Sequence, residues 1–168
     1  MMSKNEQIRL LKERRSIRRY DSRPIKDDIL TQIFEITSWC WSAVNRQPWK
    51  FYVIRNKELI SKVAKECTTG TFAAEAPVLV ALVGDVDAQP NWYVHDLSFV
   101  SLQMALAAWT FGIGTCFIGN INREKVKELL NLKEKDYLLT VLPLGYPYGD
   151  IPKPRPRKSL DEMVEYFD

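Results

Sequence analysis

Val78-Leu79-Val80-Ala81-Leu82-Val83-Gly84-Asp85 is the stretch on which the fold turns. A continuous apolar run of this length, closed by a glycine and an acid, reads as a strand buried on both faces. Outward from it, Pro48-Trp49-Lys50-Phe51-Tyr52-Val53-Ile54 reads as a strand with proline at its entry. Thr115-Cys116-Phe117-Ile118 reads as a short strand, and Tyr137 to Leu144 as a last strong one. Between them lie helical patterns. Trp92 to Phe111 is apolar nearly all round, which places it centrally, and Gly112 and Gly114 stop it. Ile29, Leu30, Ile33, Phe34 and Ile36 repeat at helical spacing behind Asp27 and Asp28. Asn56 and Asn122 stand as caps before two further helices.

Each end of the chain carries a capping-box pattern. Ser3 with Glu6 opens a short helix with Ile8 and Leu11 on one face. Ser159 with Glu162 opens a terminal helix on which Leu160, Met163, Val164 and Phe167 form a face in need of a partner. About six helices and four or so strands predict one α+β domain over residues 1–168, with a mostly antiparallel or mixed central sheet.

Composition narrows the function classes. The 168 residues are 46% hydrophobic and 27% charged, with a formal net charge of +3, so any basic function is local. No recognition-helix, zinc-finger or RNP pattern accompanies the charge, which argues against nucleic acid. Cys40, Cys67 and Cys116 form no C-x-x-C pair, and His95 is the single histidine; a disulfide framework, a zinc site and a histidine triad are disfavoured. The N-terminus lacks an apolar signal core, and the longest apolar run, Leu97 to Ile113, is interrupted by polar residues. The expectation is a cytoplasmic protein without a membrane partner.

Arg14-Arg15-Ser16-Ile17-Arg18-Arg19-Tyr20 puts four guanidinium groups and a hydroxyl within six residues. Forked arginine donors match phosphate oxygens, although such a cluster taken alone reads as a solvated basic turn. Arg155 and Arg157, in a proline-spaced extended arm, could join it because the termini of a domain often lie close together. Ile118-Gly119-Asn120 could bring backbone N–H groups close to a planar ligand. No acid–base pair stands out: Asp96 beside His95 reads as a capping or surface residue, and Asp85 and Asp87 as turn residues. Chemistry would then fall to a cofactor that the protein binds and orients.

Five stretches in register carry a resemblance: Arg14 to Arg18, Ser42-Ala43-Val44-Asn45-Arg46-Gln47-Pro48-Trp49-Lys50-Phe51, Gly112 to Gly119, Leu142 to Pro147, and Pro154 to Leu160. Together they resemble the nitroreductase family of FMN-dependent oxidoreductases. The resemblance implies an intertwined homodimer with FMN at its interface and NADH or NADPH as hydride donor to an electron-poor acceptor, such as a nitroaromatic or quinone. It implies that Arg14, Arg15, Ser16 and Arg18 hold the FMN phosphate and ribityl chain, completed by Arg155 and Arg157. It implies that Ser42, Ala43 and Asn45 reach the flavin ring from the partner subunit, and that Ile118, Gly119 and Asn120 lie along its reactive edge. Narrower flavin chemistry, as in a dehalogenase or a cofactor-remodelling oxidase, and non-catalytic flavin binding are the alternatives.

Two departures stand out. Trp41 occupies the position where the family usually has proline, in the wall near the ring. The connection after Gly84 is short, which predicts a more open site or one roofed by Trp39, Trp41, Trp92 and Tyr93.

Overall fold

The computed structural model describes residues 4–167. Nine regular elements follow in order: α1 (Lys4–Glu13), α2 (Asp27–Ser38), β1 (Trp49–Ile54), α3 (Lys57–Lys65), β2 (Val78–Gly84), α4 (Tyr93–Thr110), β3 (Gly114–Thr115), α5 (Arg123–Leu129) and β4 (Tyr137–Gly145). Two 3₁₀ turns, Ala43–Asn45 and Thr71–Glu75, interrupt the loops. The sheet runs β1-β2-β4-β3 and every pair of named strands is antiparallel, so the α+β expectation holds and no mixed sheet is needed.

Every residue of β2 is buried, and its pleat divides two cores. Leu79, Ala81 and Val83 face Ile60, Val63 and Val126 of α3 and α5. Val78, Val80 and Leu82 face Leu30 and Ile33 of α2, with Leu97, Val100 and Met104 of α4. A strand with alternate residues in two apolar layers cannot show alternation in its sequence, hence the unbroken run. The asparagine caps form as the spacing predicts: Asn56 Oδ1 accepts from Leu59 N–H at 2.9 Å, and Asn122 Oδ1 from Lys125 N–H at 3.3 Å. Ser3 lies outside the described residues, as does the Glu6 side chain.

Two expectations are corrected. The strand expected over Thr115–Ile118 keeps only Gly114–Thr115 in the ladder. Beyond it a side chain substitutes for the strand. β4 carries one extra residue opposite Leu82–Val83, a bulge, and beside it the Thr140 hydroxyl donates to Ile118 O (2.8 Å) and accepts from Ile118 N–H (3.3 Å). The expected terminal helix is a single turn, closed by Met163 and Val164 N–H onto Leu160 O. Its box half-forms: the Glu162 carboxylate accepts from Ser159 N–H at 2.9 Å. Leu160, Met163, Val164 and Phe167 are all exposed. With these side chains uncovered among the described residues, a helix this short lacks the packing that holds most protein helices.

Thr140 is fully buried, so its two bonds are a test of this substitution. Thr140→Val should lower the unfolding free energy by about 1–3 kcal/mol, because both Ile118 backbone groups lose their partner. Thr140→Ser should recover most of the loss; urea midpoints of the three proteins decide it.

Candidate functional site

The arginine stretch leaves α1 as an extended segment docked on the short end of the sheet. Ser16 forms a parallel bridge to Thr115, with Ile17 N–H donating to Thr115 O at 2.9 Å. Gly114 permits this approach, since a Cβ there would lie 2.6 Å from Ile17 Cβ. Ile17 and Tyr20 point inward, and the Tyr20 hydroxyl donates to Ile17 O at 2.6 Å. Burial pushes the Tyr20 phenol well above its ordinary range, so that donor stays protonated. Anchored in this way, the segment turns its polar side chains to the surface.

Those side chains do not all go to one place. Arg14, Arg15, Arg155 and Arg157 line one hollow of about 600 Å³, together with Lys12 and Glu13. The two ends of the chain therefore meet. Glu13, the carboxylate in this hollow, is held by Arg9 at 2.7 Å. Arg15 Nη1 donates to Lys12 O (2.7 Å) and Arg14 O (3.0 Å), while its buried Nε has no acceptor. Arg18 lies apart, exposed, 6.0 Å from the Phe72 ring centroid. Arg19 stands 4.9 Å from the Tyr148 ring and Arg23 3.4 Å from the Tyr146 ring, stacks that hold the segment against the chain after β4. Ser16 follows Arg15 on this segment, and the buried Cys116 thiol next to its bridge partner Thr115 donates to Phe117 O at 3.7 Å. Burial raises that thiol's pKa, partly offset by Arg18, the Ser16 hydroxyl and Arg14.

The glycine-rich stretch is more divided than its sequence suggests. Ile118 is a core residue, and its N–H is taken by Thr140. Gly119 and Asn120 are exposed, and among the described residues neither N–H meets a protein acceptor. A Cβ on Gly119 would meet nothing within 4 Å. An N–H offered to a planar ligand therefore comes from Gly119 or Asn120, not from Ile118.

The loop after α2 is strained. Val44, Asn45 and Gln47 have φ of 53°, 54° and 49°. Left-handed backbone is tolerated by asparagine but is a real outlier for β-branched valine. Ser42 Oγ accepts from Gln47 N–H at 2.9 Å and closes the loop on itself. Trp41 is 74% exposed and meets Phe99 edge-on at 6.0 Å. Trp41, Ser42, Ala43, Trp92, Asp96 and Phe99 line a recess of about 340 Å³. The expected roof is corrected: Trp41 and Trp92 share this recess, whereas Trp39 is 87% exposed and outside it. Tyr93 packs edge-on against Tyr137 at 5.0 Å and joins the core. The connection after Gly84 is an eight-residue turn, as expected.

Asp96 is the residue that the sequence reading misplaced. It is 1% exposed, not a surface group, and its Oδ1 accepts from Ala43 N–H at 3.0 Å while Oδ2 has no partner. The signal was present: Asp96 falls at i and i+4 with Val100 and in line with Met104 and Ala107, the stripe of α4 that packs inward. Gln89, unremarked in the sequence, donates to Ala43 O at 3.3 Å.

Comparison with known proteins bears on this arrangement. The sequence profile described as the Nitroreductase family matches residues 11–98 and 68–146. A Methanothermobacter thermautotrophicus protein, provisionally named an NADH dehydrogenase/NAD(P)H nitroreductase, is 31% identical over 152 residues, 87% of this chain and 80% of its own. The Bacillus subtilis protein named FMN reductase (NAD(P)H) is 27% identical over 188 residues, 98% of this chain and 76% of that one. A solved structure from Parabacteroides distasonis, also provisionally named an NADH dehydrogenase/NAD(P)H nitroreductase, superposes with a TM-score of 0.90 at 22% identity, over 96% of this chain and 98% of that one. The relatives' names agree with the expectation of an NAD(P)H-dependent oxidoreductase. With its antiparallel sheet between two helical layers and its arginines gathered from both ends, the chain belongs to the nitroreductase family and has that family's fold.

Proposed function

We propose that this protein is an FMN-dependent oxidoreductase that takes hydride from NADH or NADPH and delivers it to an electron-poor acceptor such as a nitroaromatic or quinone. One observation carries the reading: four guanidinium groups from opposite ends of the chain line one hollow. A dianionic phosphate answers that charge, with oxygens that match the forked donors. The hollow fits the phosphate end of FMN, with Arg14, Arg15, Arg155 and Arg157 as its holders and Ser16 beside them. FMN, when bound, supplies the hydride-accepting centre that the side chains lack. Gly119 and Asn120 offer the free N–H groups for the ring edge, and Arg18 follows along the Phe72 side.

The second half of the site is assigned to another copy. Trp41 and Asn45 are exposed, and Ser42 and Ala43 half-buried, on a strained loop, and strain of this kind is concentrated at ligand-binding sites. Trp39, Trp41, Phe99 and Leu102 are exposed on the α2–α4 side, as are Leu160, Met163, Val164 and Phe167 on the arm. Apolar surface of that extent is what a subunit interface uses. The reading is a cytoplasmic homodimer of one-domain subunits. Among the described residues, no helix is long and apolar enough to cross a membrane.

Arg14→Ala and Arg157→Ala should each weaken FMN retention by about 1.5–3 kcal/mol, roughly ten- to a hundredfold in Kd, the range for a charge-assisted bond. Equilibrium dialysis with FMN measures it, and unchanged affinity in both variants removes the clamp. Anaerobic NADH or NADPH should bleach the yellow protein, with sedimentation at the mass of two chains. A yellow protein that no nicotinamide bleaches is a flavin binder, not an oxidoreductase. A monomer with intact FMN affinity refutes the shared site.

A further inference from the structure

We propose that Asp96, assisted by Gln89, is the positioning residue of the Ser42–Asn45 loop: a buried carboxylate fixes the Ala43 peptide and thereby sets the face that the loop presents to the flavin. The inference rests on the reading above that this loop meets the ring.

The geometry is a clamp on one peptide residue from two sides. Ala43 N–H donates to Asp96 Oδ1 at 3.0 Å, across 53 positions of sequence. Ala43 O accepts from Gln89 Nε2 at 3.3 Å and from Arg46 N–H at 3.2 Å. Both side chains come from the segment that the short connection after Gly84 brings to the loop: Gln89 from the turn, Asp96 from the first turn of α4. Immediately after the clamped residue the backbone enters the left-handed region at Val44 and Asn45. Left-handed valine persists only when its surroundings overdetermine it, and the clamp is what surrounds it.

The carboxylate is a costly way to do this. Asp96 is 1% exposed, and its Oδ2 meets no donor. Among the described residues, no cation pairs with it in a salt bridge. The Cys40 thiol, two residues past the end of α2, has its pKa raised first by burial and then by the Asp96 charge. An unpaired buried charge is destabilising, and an asparagine would offer Ala43 the same acceptor at lower cost. A group kept against its folding cost belongs to a site where the local rule gives way to function. What the charge adds is a stronger bond to Ala43 N–H, and so a narrower range of loop positions.

The test compares Asp96→Ala, Asp96→Asn and Gln89→Ala in the full chain, with two readouts. In Asp96→Ala, exchange of the Ala43 amide hydrogen should accelerate at least about tenfold, while the Ile17 amide, bonded to Thr115 elsewhere, stays protected. FMN should then bind roughly tenfold more weakly, with a shifted flavin absorbance band. Asp96→Asn should recover most of the exchange protection and bring the Kd to within about threefold of wild type, with a thermal midpoint at or above it. Gln89→Ala, on the half-buried turn, should give a smaller change of the same sign, and serves if Asp96→Ala fails to fold. Ala43 exchange unchanged in both alanine variants overturns the clamp. Accelerated exchange with unchanged FMN affinity and spectrum overturns the positioning role. An asparagine variant as impaired as the alanine one overturns the acceptor argument. Wild-type protein that binds no FMN overturns the flavin reading and with it the role toward the ring, while the exchange readout still decides the clamp.

Discussion

The constraint from which the rest follows is the two-sided burial of β2. With no residue of that strand in contact with water, the sheet must be covered on both faces, and the chain supplies α3 and α5 on one and α2 and α4 on the other. α4 is apolar enough to lie across the sheet centre, which leaves its two ends at the rims. One end carries Asp96 and the recess under Trp41. Past the other end, the chain turns at Gly112 into β3, against which the arginine segment docks. The two parts of the candidate site lie at the ends of this helix, which the interior fixes in place.

The two halves of the candidate site are built by different physics. The arginine side is built on hydrophobic anchors: Ile17 and Tyr20 hold the segment down, and Arg14 and Arg15 ahead of them reach the hollow. Such a site tolerates exposure, since guanidinium groups lose little by waiting in water. The loop side is built on polar anchors under strain, with Val44, Asn45 and Gln47 left-handed and Ala43 gripped through its backbone. A left-handed residue costs on the order of 1–3 kcal/mol, comparable to what one or two good hydrogen bonds to a charged group return. The loop therefore holds its shape by a narrow margin, and single polar residues beneath it matter more than single apolar ones elsewhere.

How much of this could be read in advance follows from the range of each interaction. The three longer strands were legible from their apolar runs, and the capped helices because each cap depends on neighbours within a few residues, such as Asn56 with Leu59 or Asn122 with Lys125. The meeting of Arg14 and Arg15 with Arg155 and Arg157 was legible as a possibility, from charge and from the habits of chain ends. Thr140 replacing a strand for Ile118, and Asp96 reaching Ala43, were not. Both are single side chains that satisfy backbone groups 22 and 53 positions away, and no local pattern encodes them. Asp96 also looked polar enough for the surface, and only its place in the inward stripe of α4 argued otherwise. The terminal helix failed for the opposite reason: its periodicity is real, but its apolar face is left exposed among the described residues.

That failure bears on the architecture of the site. The arm after Tyr146 carries Arg155 and Arg157 to the hollow and then continues with Leu160, Met163, Val164 and Phe167 exposed. Three prolines in alternate positions, Pro152, Pro154 and Pro156, stiffen the basic portion, and only Lys158 and Ser159 separate Arg157 from Leu160, so the basic and apolar portions cannot move independently over a long range. Whatever covers the apolar turn also fixes Arg155 and Arg157 relative to Arg14 and Arg15. A second copy of the chain, docking there, would tie assembly to completion of the phosphate hollow. Dimerisation would then tighten cofactor binding from both directions at once, through the arm on one copy and the Ala43 loop offered by the other.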